Sequence, residues 1–142
     1  MNIEGLSEEQ ILEIVDEIVS RGLIDWVHMP ELDWLVKTNA SRHGVDLDWS
    51  SRVVVGLEVL RITFEKGFMV PGDYTKWTNG FVPWELDHQK AIERIESNWR
   101  AIGEDIVFGD VCWFANTEAG NEYGKTVLDA VNKRNNWPRH PR

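Results

Sequence analysis

The sequence predicts an α+β domain, mainly helical, with four to five helices and a small antiparallel hairpin or sheet. Three observations carry this. The stretch Ser50–Val70 holds the longest apolar run of the chain, and from Val53 to Glu65 its only charges are Glu58, Arg61 and Glu65. Those three share one helical face, so the segment reads as a helix buried on its other sides. Two further stripes recur at steps of three and four, through Ile11, Ile14, Val15, Ile18 and Val19 and through Ile92, Ile95, Trp99 and Ile102. Short strand-like runs at Phe68-Met69-Val70, Ile106-Val107-Phe108 and Val111–Ala115 supply the β component.

Taken in order, Ser7-Glu8-Glu9-Gln10 forms a capping box, with Leu6 and Ile11 placed as a hydrophobic staple. Gly22 stops this first helix. Pro30 suits the first turn of a second, which uses Leu32, Leu35 and Val36 and ends at Gly44. Asp48 or Ser50 caps the buried helix, and Gly67 ends it. Pro71 to Trp84 reads as a loop, punctuated by Gly72, Asn79-Gly80 and Pro83 and studded with Trp77, Phe81 and Trp84. Asp87 leads into the next helix, which Gly103 ends. A tight hairpin of 106–108 with 111–115 turns at Gly109-Asp110. Thr117 caps a last helix with Ala119, Tyr123, Val127 and Val131 at steps of four. Residues 1–134 form one domain, divided into an N-terminal helical part (1–47) and a second part (48–134). A flexible basic tail follows at 135–142.

Charge is the strongest compositional signal. The chain carries −9, with 13 acids and 6 bases in residues 1–66, while Lys133, Arg134, Arg139 and Arg142 make the end basic. Such a body repels phosphate backbones and favours a cationic partner. Eight tryptophans in 142 residues imply a Trp-built core, an aromatic binding face, or both. The single cysteine, Cys112, excludes an internal disulfide and a multi-cysteine zinc site. His28, His43, His88 and His140 lack metal-site spacing, and neither a phosphate loop nor a nucleophile elbow is present. The expectation is no enzyme, no cofactor and no metal. No apolar run approaches the ~20 residues that span a bilayer, and no signal sequence is evident, so a cytoplasmic location is expected.

Phe64–Gly72 resembles the first helix and strand of a winged-helix domain. Val111-Cys112-Trp113-Phe114-Ala115 running into Asn116-Thr117-Glu118-Ala119-Gly120 resembles the wing strand and following helix of bacterial regulators of the MarR and PadR kind. The resemblance covers about residues 57–124 and implies a winged-helix-like core for 48–134. It also implies a DNA-binding regulator, possible as a homodimer through the N-terminal and last helices. The helix in the recognition position is electrically neutral, which disfavours nucleic acid. The leading expectation is therefore a non-catalytic, acidic protein-binding domain, most concretely an immunity or antitoxin-type protein neutralising a basic toxin. Its expected partner-binding residues are Asp73, Trp77, Phe81, Trp84, Glu85 and Asp87, which combine aromatic anchors with steering acids. Trp77 and Trp84 as stacking platforms for a carbohydrate or peptide are a further alternative.

Overall fold

The computed structural model describes residues 2–75 and 80–136. Trp77, Asn79 and the segment from Trp137 onward lie outside the described residues. The fold is α+β and mainly helical, with five helices and a small antiparallel sheet.

A two-stranded ribbon, β1 (Asn2–Ile3) and β2 (Leu6–Ser7), opens the chain. Glu4 and Gly5 both take positive φ, the turn that matches the twist of a two-residue hairpin. Helix α1 (Glu8–Arg21) then starts on the predicted capping box. The Ser7 amide donates to Gln10 Oε1 at 2.9 Å, and the Gln10 amide donates to Ser7 Oγ at 3.2 Å. Its apolar stripe is buried, as is the Leu6 staple. Helix α2 (Met29–Arg42) carries Pro30 in its first turn, as expected, and buries Leu32, Leu35 and Val36. After it, the Val45 amide reaches back to the Ala40 carbonyl at 2.9 Å.

Helix α3 (Trp49–Glu65) is the buried helix, capped by Asp48, whose carboxylate accepts the Ser51 amide at 2.8 Å. That bond holds the Asp48 carboxyl below its usual pKa. The charged face is self-contained: Arg61 donates to Glu65 at 2.7 Å and to Glu58 at 2.8 Å. Gly67, at φ +73°, turns the chain out of the helix, a conformation that side chains with a Cβ resist.

The sheet departs from expectation twice. It contains β3 (Val27–His28), β4 (Met69–Thr75), β5 (Gly80–Pro83) and β6 (Trp113–Asn116), in spatial order β3-β6-β4-β5 and antiparallel throughout. The hairpin expected at 106–115 does not form. Residues 103–112 are turns and irregular backbone, with the Val107 amide donating to the Asp110 carboxylate at 2.8 Å, and only β6 is extended. A side-chain acceptor thus replaces the ladder partner that a first strand would need. The hairpin lies instead in the stretch read as loop, where β4 pairs with β5 through Tyr74 opposite Phe81. Pro71 and Gly72 are strand residues here. Gly72 is needed for space, since a Cβ there would come 2.5 Å from the Phe81 ring.

Helix α4 (His88–Ile102) buries Ala91, Ile95 and Trp99, whereas Ile102, the last member of the predicted stripe, is exposed. Helix α5 (Glu118–Asn136) is capped by Thr117 as expected, but its buried face runs through Gly120, Gly124 and Val131. Ala119 is exposed. Glycines let the α5 backbone approach its neighbours, while of the predicted stripe Val131 is buried and Tyr123 and Val127 are half-buried. Asn135 donates to Glu17 at 2.9 Å and accepts from Arg42 at 3.0 Å, which ties the end of α5 to α1 and α2.

Candidate functional site

Strand alternation sorts the sheet into two faces. Val27, Met69, Pro71 and Phe114 point inward and are buried. On the other face the cross-strand register sets His28 opposite Trp113, Trp113 opposite Gly72, and Tyr74 opposite Phe81. Trp26, two residues before His28, joins the same face. Its ring lies 5.7 Å from Tyr74, 5.8 Å from Phe81 and 6.3 Å from Trp113. Phe108, carried by the turn-rich segment 103–112, completes the group at 4.8 Å from Trp113 and 5.0 Å from His28. Phe108 is 70% exposed and Tyr74 46%, far more than aromatic rings in a core. The segment carrying Phe108 is held in an unusual shape, with Val111 at φ +66°, a costly conformation for a β-branched residue. Such strain concentrates at working sites.

Asp25, Trp26, His28, Glu31, Tyr74, Phe108 and Trp113 line an open cleft of about 430 Å³, within the range of ligand pockets. Asp25 is exposed, and one of its oxygens accepts the Trp26 amide at 2.7 Å. Glu31 accepts from Arg21 at 3.1 Å, and the Arg21 guanidinium lies over Trp34. His28 is the N-cap of α2, its Nδ1 accepting the Glu31 amide at 3.2 Å. In the neutral ring Nε2 therefore carries the proton and faces Glu31 at 3.9 Å. His28→Ala removes both the cap and the ring contacts, whereas His28→Asn keeps a capping oxygen. The alanine variant is expected to be the less stable by about 1 kcal/mol, measured by urea denaturation of both.

The expected partner-binding residues disperse. Phe81 belongs to the aromatic face. Asp73 is half-buried and alternates to the opposite face of β4. Trp84 packs against the core beneath the Arg94 guanidinium, 3.8 Å from the ring centre. Asp87 caps α4 by accepting the Lys90 amide at 2.8 Å, and Glu85 is exposed. Sequence reasoning passed over Trp26, His28, Tyr74, Phe108 and Trp113.

Cys112 is buried, and burial pushes its thiol above the usual range. Asp33 pairs with Arg52 at 2.9 Å, and His43 pairs with Glu13 at 2.7 Å. Among the described residues no cluster of three or more His, Cys, Asp or Glu is placed to hold a metal ion. Among them, too, no helix is long and apolar enough to cross a membrane. Of the α4 bases, Arg94 covers Trp84 and Arg100 pairs with Glu96 at 2.9 Å. A second concavity between α1 and α3 has Ile3, Ile11 and Ile62 in its wall, but its Arg61 is consumed by Glu58 and Glu65. Comparison with protein-family models, curated proteins and solved structures returned no match.

Proposed function

We propose that this chain is a non-catalytic protein-binding domain that docks a basic partner on the outer face of its sheet. The immunity or antitoxin type, neutralising a basic toxin, is its most concrete form. One observation carries the reading: Trp26, Tyr74, Phe81, Phe108 and Trp113 meet on an open face with Asp25 and Glu31 at its edge. Aromatic side chains are the usual anchors of tight interfaces, and rim acids on a −9 body speed encounter with a cationic surface.

The test begins with affinity capture at low ionic strength, followed by titration of the captured polypeptide against wild type and a Tyr74→Ala/Phe108→Ala variant. Both side chains are exposed, so the variant should melt close to wild type while losing about 2 kcal/mol or more of affinity. Binding should also weaken as salt is raised. Equal affinity of wild type and variant, or no basic polypeptide retained, would overturn the assignment of this face.

A further inference from the structure

We infer that the cleft beside Trp113 is a receptor for a guanidinium group, that is, for one arginine side chain of the basic partner. This rests on the reading of the sheet face as a docking surface and names what the cleft on it takes. The first argument is geometric. Trp26, His28 and Phe108 meet the Trp113 ring at 73°, 87° and 85°. Rings at near right angles form a corner rather than a stack, and a flat group entering a corner can lie along one ring while its edge meets another. Cations are drawn to such aromatic surroundings by the ring quadrupoles.

The second argument is charge. Among the described residues, the ionisable groups lining the cleft are Asp25, His28, Glu31 and Tyr74, with Arg21 bonded to Glu31 at its edge. Arg21 is shared between Glu31 and Glu17, and His28 holds its Nδ1 as an acceptor, which leaves the exposed Asp25 carboxylate without a cationic partner among the described residues. A cation is the occupant that balances it. Between the two basic side chains, arginine fits better. Its guanidinium is planar, stacks on aromatic faces, pairs with a carboxylate through a fork of donors and is less strongly hydrated than an ammonium. The molecule uses the same combination at the cleft's edge, where Arg21 lies 5.3 Å from the Trp34 ring centre while bonded to Glu31.

The test uses N-acetyl-arginine methylamide as the probe, with the lysine and citrulline analogues and a neutral oligosaccharide beside it. Binding is followed by NMR through the indole N–H signals, assigned with Trp26→Phe and Trp113→Phe. The arginine amide should shift the Trp26 and Trp113 signals, the lysine amide should bind several-fold more weakly, and citrulline about tenfold more weakly or worse. Asp25→Asn and Phe108→Ala should each weaken the arginine amide by about three- to tenfold, with the rest of the spectrum unchanged. Citrulline binding as well as arginine, the oligosaccharide binding in its place, no shift up to the probe's solubility, or indifference to both substitutions would each overturn the inference. Its fate separates from that of the docking reading. Arginine-amide binding without any captured basic protein defeats docking and leaves the receptor standing. A captured protein lost on Tyr74→Ala/Phe108→Ala yet indifferent to Asp25→Asn, with no arginine-amide binding, defeats the receptor alone.

Discussion

Trp99→Ala is expected to destabilise the protein by about 3–5 kcal/mol, a large part of the 5–15 kcal/mol that typically holds a domain folded. Trp99 is the largest fully buried side chain among the described residues and projects from α4 toward α3. Its indole lies against Gly56, where a Cβ would come 2.8 Å from the ring. The glycine in the middle of α3 thus acts as a flat seat for the indole, and its cost to helix propensity is accepted for that packing. Truncation empties the seat, and α3 cannot move in to fill it because α1 and α2 pack against its other sides. Gly56→Ala in wild type should also destabilise, since the ring must shift. In the Trp99→Ala background the same methyl enters vacated space, so the two changes should couple favourably by at least ~0.5 kcal/mol. Urea denaturation of the four proteins of the cycle measures this. Additive losses would mean that the indole and Gly56 do not share one packing site.

The helices were legible because each carries its own local evidence. The Ser7–Gln10 box, the Glu58/Arg61/Glu65 face and the Asp87 and Thr117 caps are interactions within a turn or two, written in adjacent letters. Gly67 was legible because it serves conformation, at φ +73°. Gly56, Gly72 and Gly120 serve close approach by a segment distant in sequence, and nothing in the neighbouring letters distinguishes that use. Pro71-Gly72 accordingly read as a turn and hid the continuation of β4 beyond Met69-Val70, while Gly109-Asp110 suggested a hairpin where Asp110 instead closes a compact turn.

The aromatic face was hidden for a related reason. Strand β3 is two residues long, too short to show a period, and its partner Trp113–Phe114 lies near the other end of the chain. What brings Trp26, Tyr74, Phe108 and Trp113 together is strand order, with β6 inserted between β3 and β4. Order is set by the core beneath the sheet, where Val27, Met69 and Phe114 are all buried. Composition left open whether the eight tryptophans build a core, an aromatic face, or both. It could not say that Trp84 would be covered by Arg94 and Trp26 left open to the cleft.

Gly120→Ala should cost about 3 kcal/mol, at the upper end of overpacking effects and opposite in sign to the usual gain from replacing a helical glycine. Gly120 lies in the first turn of α5. A Cβ there would fall well inside contact distance of the Phe68 carbonyl oxygen and 2.8 Å from its carbon. Both groups are backbone, so no rotamer change relieves the clash and α5 must move outward. That carbonyl also accepts the Thr117 amide at 2.9 Å, and Thr117 Oγ1 donates to the Gly67 carbonyl, so displacement breaks the clasp that starts the helix. One turn on, Tyr123 stacks on Phe68 at 4.4 Å and donates its hydroxyl to Asp16 at 2.6 Å. Gly124→Ala provides the comparison, since its nearest neighbours would be 3.1 Å away and it should lose less. The Tyr123 phenol reports the displacement separately from melting. Burial, aided by the bond to Asp16, pushes it up to about 12 from 10.0. The unfolded chain therefore releases this proton first, and wild type should lose stability as pH rises from the ordinary value of 10.0 toward about 12. In Gly120→Ala the phenol should titrate closer to its ordinary value, with that alkaline loss reduced. An unchanged melt and an unchanged phenol titration would together place α5 farther from the Phe68 backbone than this packing requires.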